Sequence, residues 1–429
     1  MSADDPVTRT ARRADGPPTP PSGPALLRDR SGAQRVSFLE LFFDLVYVFA
    51  VTQLSHGLLQ HLSWATAGQL FLLLLAVWWA WNYTAWFTNF LDPDHPAVRL
   101  VLVTIMLASL VMSAALPQAF GERGLVFVVA YLAIQMGRHL FVVISLRGQS
   151  LSREFERALV WFCLSAVPWT AGALVAGWAR TGLWALALAL EYGSVLVGFP
   201  VPGLGRGRTD AWTISGEHLV ERFRLFLIIA LGESILVTGA TFGAGAFDTG
   251  RTAAFVVAFI CAVTLWWIYF GLGIEAADAA VESASDAGLL GMLATYIHVV
   301  TVAGVIACAV GDELVIAHPT GHTATTTAVV LTAGPALFLI GNALDRRVML
   351  GRVPRSRVAA VLALALLVPA GRLLPPLALA AAITTVLIAV AVRDVLEKRR
   401  EKRREKRRGQ QQRSPGDRRV PVHRPRAGR

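Results

Sequence analysis

Long apolar stretches recur along nearly the whole chain, and they constrain its fold more than any other feature. A helix that crosses a membrane needs about 20 predominantly apolar residues. Of the 429 residues, 55% are hydrophobic and only 16% are charged, so a soluble domain has too little interior for them. The sequence therefore predicts an all-α, polytopic transmembrane bundle of about twelve helices. The apolar stretches are centred on 38–58, 66–88, 98–116, 124–145, 156–177, 182–199, 218–240, 252–271, 289–310, 324–342, 357–371 and 374–393. The last two form either two spans or one re-entrant hairpin.

Two polar segments flank the predicted bundle and carry most of the net charge of +11. Residues 1–34 are rich in Pro, Gly and Arg, and 394–429 contain the tetrad Glu-Lys-Arg-Arg three times. Such segments bury too little apolar area to fold alone, so we expect a disordered N-terminal tail and a basic C-terminal tail. The tetrads are expected to extend the last helix into water. Basic residues beside a membrane attract anionic lipid headgroups by about 1 kcal/mol per charge. No aromatic platform accompanies the charge, so nucleic acid is not an expected partner.

Arginine is distributed unevenly between the connections, and this bias predicts orientation. With a cytoplasmic N-terminus, the cytoplasmic connections carry Arg147, Arg153, Arg157, Arg206, Arg208, Arg346, Arg347, Arg352, Arg355 and Arg357. The opposite connections carry mainly Arg123, Arg180 and Arg372. We therefore expect a multi-pass protein of the cell membrane with both termini in the cytoplasm.

The sequence offers no pattern for metal, cofactor or catalysis. Its three cysteines, Cys163, Cys261 and Cys308, are widely spaced within apolar stretches and are interpreted as packing residues. A Gly-rich phosphate loop, a His-Glu-x-x-His motif and a cysteine-ligand pattern are all absent from the sequence. We therefore predict no catalytic residue, no metal ligand and no cofactor, and we do not expect an enzyme.

The two halves of the chain resemble each other. Two pairs recur at nearly the same offset: Trp78-Trp79 with Trp266-Trp267, and Asp44 with Glu233. An even number of spans separates the members of each pair, so the halves share one orientation. Some transporters are built from such parallel repeats. We predict two six-helix repeats, at 35–200 and 201–393.

Two carboxylates lie in the first predicted span, where each needs a partner, a proton or water. Glu40 and Asp44 share one helix face at i,i+4 spacing, and like charges at that spacing repel. Arg138, late in the fourth span, lies at similar depth, so we predict a salt bridge from Arg138 to one of them. The carboxylates are then either a structural anchor or a site for a proton or cation.

Three further polar residues lie within predicted spans. Glu233, near the middle of the seventh span, is the carboxylate that we most expect to be functional, and it should face the inside of the bundle. Glu191 lies midway along the sixth span. His298, in the ninth span, is expected to hydrogen-bond to Glu233 or Glu191.

A stripe of aromatic residues follows the second span. Trp79, Tyr83, Trp86 and Phe90 recur at helical spacing. The stripe is interpreted either as packing or as an aromatic cage for an organic cation.

Two motifs resemble a known family. The segment Glu40-Leu-Phe-Phe-Asp44-Leu-Val-Tyr-Val-Phe-Ala resembles the first signature of the bacterial low-temperature-requirement A family. Glu221-Arg-Phe-Arg224-Leu-Phe-Leu-Ile-Ile-Ala-Leu-Gly-Glu233-Ser-Ile-Leu is similar to its second signature. The resemblance covers about 35–393, and Arg224 departs from it because a small residue is expected there. The family name implies a link to growth in the cold and no established chemistry.

Two functions are compatible with these features. The first is a transporter or channel for an ion or a small solute, with intramembrane carboxylates along the route. The second is a non-transporting sensor, scaffold or lipid-interacting protein involved in low-temperature or envelope stress. A continuous polar lining between the halves favours transport, whereas carboxylates capped by arginine in a dry bundle favour the second function.

Overall fold

Twelve α-helices contain most of the residues that the computed structural model describes, which are 26–29, 35–207, 215–271 and 286–413. The helices are α1 Phe38–Gln60, α2 Trp64–Phe90, α3 Pro96–Ala115, α4 Gly124–Ser145, α5 Ser150–Leu174, α6 Trp178–Leu196, α7 Gly216–Gly243, α8 Thr249–Phe270, α9 Ala287–Ala317, α10 Thr325–Leu350, α11 Arg355–Ala370 and α12 Pro376–Arg413. Short 3-10 turns, Leu116–Gln118 and Gly371–Leu373, follow α3 and α11. The predicted all-α bundle of about twelve helices is confirmed.

Length and composition identify most of these helices as membrane spans. Among the described residues, 11 helices are long and apolar enough to cross a membrane, and α6 is the exception. α6 contains two charged residues, Arg180 and Glu191. The final two candidates, Arg355–Leu373 and Pro376–Arg400, each reach spanning length. The chain is therefore a multi-pass membrane protein, and its last two apolar stretches are two separate long helices.

The pattern of neighbouring helices in the first half recurs in the second. α1 packs on α2 and α3, and α7 packs correspondingly on α8 and α9. The consecutive pairs from α3 to α6 are in contact, as are those from α9 to α12, and α2 meets α6 as α8 meets α12. Between the halves, α1 and α2 both contact α7 and α9. The charged residues of α1 therefore face α7.

The two tryptophan doublets occupy different surroundings. Trp78 and Trp79 are buried in the first half, whereas Trp266 and Trp267 are 44% and 45% exposed on α8. An exposed indole on a spanning helix contacts lipid or the membrane interface. The sequence match between the doublets therefore does not extend to their environments, and the internal repeat remains a prediction.

Parts of the two predicted tails belong to the described structure. Residues 26–29 lie beside the end of α2, where Arg28 N donates to Phe90 O at 3.0 Å and Asp92 N donates to Leu26 O at 3.0 Å. At the other end, α12 continues as a helix to Arg413, as expected for the basic tetrads. The rest of the predicted tails, residues 1–25, 30–34 and 414–429, lies outside the described residues.

Candidate intramembrane charge site

Glu40 and Asp44 of α1 are fully buried one helical turn apart. Ser37 starts the helix with a capping box. Its Oγ accepts from Glu40 N at 3.2 Å, and Glu40 Oε2 accepts from Ser37 N at 2.8 Å. The cap occupies one carboxylate oxygen of Glu40, so the other oxygen, Oε1, is left for partners from neighbouring helices.

Arg222 of α7 joins the two carboxylates. Its Nη1 lies 3.0 Å from Glu40 Oε1, its Nη2 lies 2.6 Å from Asp44 Oδ1, and all three side chains are fully buried. Trp81 Nε1 donates a second hydrogen bond to Asp44 Oδ1 at 2.7 Å. The Arg222 Cζ atom also lies 5.7 Å from the ring centroids of Phe43 and of Trp81, within cation–π range. One guanidinium thus offsets the repulsion between Glu40 and Asp44.

Two more basic side chains surround Glu40. His218 Nε2 lies 2.9 Å from Glu40 Oε1, and Asn89 Nδ2 donates to His218 Nδ1 at 3.2 Å. His218 Nε2 also lies 2.9 Å from Arg28 Nη1, so the ring tautomer decides whether Nε2 donates to Glu40 or accepts from Arg28. Arg28 Nη1 lies 3.4 Å from the same Glu40 oxygen and also donates to Thr88 O at 2.8 Å. Arg28, Glu40, Asp44, His218 and Arg222 are called the arginine cluster below.

Hydrogen bonding in the arginine cluster is nearly complete. Two of its atoms, Asp44 Oδ2 and Arg222 Nε, have no hydrogen-bond partner among the described residues. A buried polar group without a partner costs about 1–3 kcal/mol, and more when it is charged. Direct ion pairs therefore hold the cluster together. Its two atoms without a hydrogen-bond partner belong to Asp44 and to the Arg222 side chain that contacts it.

The prediction that Arg138 pairs with Glu40 or Asp44 is wrong. Within the part of the chain that the structure describes, Arg138 of α4 donates to Thr84 Oγ1 at 2.7 Å, to Ala80 O at 3.2 Å and to Gln135 Oε1. The reason lies in helix packing, because α4 packs on α2, α3 and α5 rather than on the charged face of α1. Arg222, from the opposite half, takes the place predicted for Arg138.

Glu191 belongs to a separate buried network of neutral donors. Ser165 Oγ donates to Glu191 Oε1 at 2.7 Å, Trp169 Nε1 donates to the same oxygen at 2.8 Å, and Tyr131 OH donates to Oε2. Gln135 Nε2 then donates to Tyr131 OH at 3.0 Å. Since Gln135 also accepts from Arg138, this chain of hydrogen bonds connects Glu191 to a guanidinium without direct contact. The network ties together α2, α4, α5 and α6.

Glu233 lies farther along α7, away from the arginine cluster. Its side chain is only 3% exposed, it hydrogen-bonds with Thr52 of α1, and it lies within electrostatic range of His56 and Glu313. Glu313, on α9, hydrogen-bonds with Thr241. One oxygen of each carboxylate, Glu233 Oε1 and Glu313 Oε2, is buried with no partner among the described residues. His56, Glu233 and Glu313 are called the acidic cluster below.

An aromatic layer separates the two clusters. Phe226, one turn beyond Arg222 and two turns before Glu233, is buried against Trp81 and Trp78 with ring centroids 4.4 Å and 5.5 Å away. On α1 the corresponding separation, from Asp44 to Thr52, is about 12 Å along the helix axis. Tightly packed aromatic rings exclude water, so the layer interrupts the polar face between the halves.

His298 packs into this aromatic layer. Its ring centroid lies 5.2 Å from that of Phe223 and 5.6 Å from that of Trp78. Its Nε2 atom is buried without a hydrogen-bond partner in the described part of the chain. The prediction that His298 hydrogen-bonds to Glu233 or Glu191 is therefore wrong. His298 is a packing residue here, because its ring lies among those of Phe223, Trp78 and Tyr269 and its hydrogen bond goes to the backbone of Phe223.

The sequence interpretation missed the partners of both acidic sites. His218 and Arg222 have the same i,i+4 spacing on α7 as Glu40 and Asp44 have on α1. Two acids on one helix face and two bases on another are a complementary signal, which would have pointed to α7 instead of α4. Glu313 carried no comparable signal, because only the packing of α9 on α7 brings it near Glu233.

The described residues contain no group of three or more His, Cys, Asp or Glu side chains placed to hold a metal ion. Cys163, Cys261 and Cys308 are free thiols, the last two buried. The arrangement offers instead what intramembrane carboxylates offer in general, which is exchange of a proton or a cation.

Comparison with known proteins identifies relatives of the chain. Residues 35–392 match the model of a family described as "Bacterial low temperature requirement A protein (LtrA)". The chain is 38% identical over 336 residues to an uncharacterized protein of Rhizobium meliloti (strain 1021), a match that covers 78% of this chain and 82% of the relative. No solved structure matches the chain.

Proposed function

The chain belongs to the bacterial low temperature requirement A (LtrA) family, and we propose that it is a transporter for an ion or a small solute. The proposed route follows the interface between the halves, along α1 and α7. Both halves are proposed to be parallel six-helix repeats with both termini in the cytoplasm. The recurring pattern of helix neighbours supports the repeat, and the arginine distribution supports the orientation.

One observation carries this proposal: polar groups, most of them buried, line the α1–α7 interface on both sides of the aromatic layer. On one side lie Glu40, Asp44 and Arg222, and on the other lie Glu233 and Thr52. Charged residues are costly at membrane depth, about 2.5–3.5 kcal/mol each on translocon scales, and they usually mark ion or substrate pathways. The aromatic layer lies between the two groups, so transport along this route requires the layer to open.

Glu233 is the residue proposed to exchange the coupling ion or proton. Asp44 has a guanidinium as direct partner, whereas Glu233 has a hydroxyl group and one unpaired oxygen. A bound cation stabilises a carboxylate only slightly when arginine already neutralises it. The stabilisation is larger for a carboxylate without a cationic contact, because the proton or cation then removes an uncompensated buried charge.

Flux through purified protein in liposomes tests the proposal, with imposed gradients of protons, Na⁺, K⁺ and small solutes. Glu233→Gln keeps the side-chain shape and removes the charge, so we expect its flux to fall to that of empty liposomes. The matched control is Glu217→Gln, because Glu217 is an exposed residue at the start of the same helix. The control should transport like the wild type. Absence of wild-type flux for every species, or wild-type flux in Glu233→Gln, would contradict the proposal.

A second candidate is a non-transporting sensor, scaffold or lipid-interacting protein. The observation in its favour is that Arg222 forms direct ion pairs with both Glu40 and Asp44. Such a contact is typical of a structural ion pair. If no species crosses the liposome membrane while the protein remains folded, this candidate replaces the transporter.

A further inference from the structure

The three titratable residues of the acidic cluster form a graded series from the interior of the bundle to one face of the membrane. α1 and α9 both run parallel to α7, because their early residues contact the start of α7 and their later residues contact its later part. At about 1.5 Å per residue, His56 and Glu313 lie about 6 Å from the ends of α1 and α9, and Glu233 lies about 15 Å from the end of α7. Glu233 is buried, Glu313 is half-buried and His56 is exposed. In the proposed orientation, the exposed end of this series faces the outside of the cell.

Arg251 and Asp312 are further charged groups at this end of the bundle. Arg251 of α8 donates to Thr241 O at 2.6 Å, so it satisfies a carbonyl group at the end of α7. Asp312 of α9 lies within electrostatic range of Cys308. The charged groups in range of Glu233 are the other two members of the acidic cluster. The charge of Glu233 is therefore coupled mainly to theirs.

The hydrogen bonds of Thr52 indicate where a proton lies. A threonine hydroxyl has a single proton to donate. Thr52 Oγ1 donates it to Val48 O, one turn back in α1, at 3.0 Å. The oxygen of Thr52 is then left as an acceptor, so its hydrogen bond with Glu233 requires a proton on the carboxyl group. A protonated Glu233 satisfies this contact and carries no charge at its buried position.

The surroundings of Glu233 suit a proton better than a metal cation. A hard metal ion such as Ca²⁺ or Mg²⁺ is held by about six or more oxygen ligands, whereas a proton needs one oxygen and one acceptor. In the described part of the chain, no three acidic, His or Cys side chains are placed to hold a metal ion. The C-terminal ends of α1, α7 and α9 converge near the cluster, and the C-terminal end of a helix attracts positive charge. This end of the bundle therefore favours the entry of protons.

We propose that the coupling ion of the transporter is a proton, which Glu233 holds and which reaches it from outside through His56 and Glu313. The protonated ring of His56 gives its N–H proton to the carboxylate of Glu313 and becomes neutral. The carboxylic acid of Glu313 then gives the proton to the carboxylate of Glu233, directly or through one water molecule. Chains of acidic residues and histidines relay protons in pumps and transporters. The coupling role rests on the proposed function, whereas proton binding at Glu233 does not depend on it.

Infrared spectroscopy during exchange from H₂O to D₂O tests proton binding without requiring transport. The purified full-length protein is held in lipid vesicles at mildly acidic pH, and the C=O stretching bands of protonated carboxyl groups are followed. We expect one band that shifts on deuteration in the wild type and is missing in Glu233→Gln. Thr52→Val removes the hydroxyl at nearly constant volume, so it should keep this band and move it to higher frequency. Glu217→Gln is the matched control and should give the wild-type bands.

The rate of the same exchange tests the route. In Glu313→Gln and in His56→Gln, deuterium should replace the Glu233 proton roughly tenfold more slowly or slower still, because each variant lacks one carrier. The intensity of the band should stay at the wild-type level in both. His61→Gln is the matched control for His56→Gln, since His61 is exposed just beyond the end of α1, and it should exchange at the wild-type rate.

Three results would overturn the proposal. The first is that Glu233→Gln loses no exchangeable carboxyl band. The second is an unchanged exchange rate in both Glu313→Gln and His56→Gln. The third is disappearance of the band when Na⁺ or K⁺ replaces choline at constant pH, because a metal cation would then compete for Glu233. If Glu233→Gln does not fold, the frequency shift in Thr52→Val assigns the band instead.

The liposome flux assay separates this inference from the proposed function. An exchangeable Glu233 band in a protein that moves no species contradicts transport and leaves proton binding intact. Flux driven by Na⁺ or K⁺ that does not respond to a proton gradient contradicts the proton as coupling ion and leaves transport intact. Flux that responds to the proton gradient, together with the Glu233 band, supports both.

Discussion

The arginine cluster and the acidic cluster both include residues of α1 and α7, but the carboxylates of Asp44 and Glu233 are compensated in opposite ways. Asp44 contacts a guanidinium at 2.6 Å, whereas Glu233 has a threonine hydroxyl and an unpaired oxygen. Both side chains are buried. Burial alone therefore does not distinguish a structural carboxylate from an exchangeable one, and the identity of the partner does.

The largest expected effect concerns the partner in the arginine cluster. Arg222→Leu leaves Glu40 and Asp44 buried next to each other without their shared cation. Removing one member of a buried ion pair costs about 3–5 kcal/mol, so the free energy of unfolding in mixed SDS micelles should fall by that amount. The control is Arg99→Leu, which removes an exposed ion pair with Asp94 and should change stability by less than about 0.5 kcal/mol. Equal losses in the two variants would mean that the arginine cluster contributes no more than a surface pair.

An intermediate effect is expected in the Glu191 network. Tyr131→Phe keeps the ring and removes the hydroxyl group that donates to Glu191, while Ser165 and Trp169 still donate to it. A hydrogen bond to a charged group contributes about 1.5–3 kcal/mol, so the unfolding free energy should fall within that range. Tyr47→Phe is the matched control, because it removes a neutral hydroxyl pair with Ser109 and should cost less. A larger loss in Tyr47→Phe would show that Glu191 is not stabilised as a charged group by Tyr131.

The smallest effect on stability is expected at Glu233. Glu233→Gln removes a charge that has no cationic contact, and the amide keeps the size needed to pack beside Thr52. The unfolding free energy should therefore change by less than about 1 kcal/mol. Asp44→Asn is the same type of change in the arginine cluster. It should lower the free energy of unfolding more, because Arg222 then pairs with only one carboxylate, that of Glu40. If Glu233→Gln proves the more destabilising of the two, the contrast between the clusters is wrong.

The helices were predictable because the membrane sets a fixed requirement for apolar length. All twelve stretches read from the sequence correspond to helices of the structure. The buried acids Glu40 and Asp44 were recognisable for a related reason, since their spacing on a spanning helix requires a partner. The predicted depth of Asp44 in the membrane, however, was compatible with Arg138 and with any other cationic side chain at the same depth. Only the packing of α1 on α7 selects Arg222.

The aromatic residues show the same limit. The spacing of Trp79, Tyr83, Trp86 and Phe90 predicts that they share a helix face, and all four line one cavity. Whether such a face meets another helix or an open space depends on the neighbours, which the local pattern does not encode. His298 was likewise assigned a polar role from its residue type, whereas the rings around it make it part of an aromatic layer.

A double-mutant cycle on Asp44 and Arg222 tests most directly the claim that partner identity separates the two clusters. The free energy of unfolding is measured for the wild type, Asp44→Asn, Arg222→Leu and the double variant in the same mixed micelles. Residues in direct contact typically show coupling energies of 0.5–3 kcal/mol, so the double variant should lose clearly less than the two single losses combined. The same cycle on Asp44 and Arg138 should be additive within about 0.5 kcal/mol. Additivity for Asp44 with Arg222, or strong coupling of Asp44 with Arg138, would contradict the account.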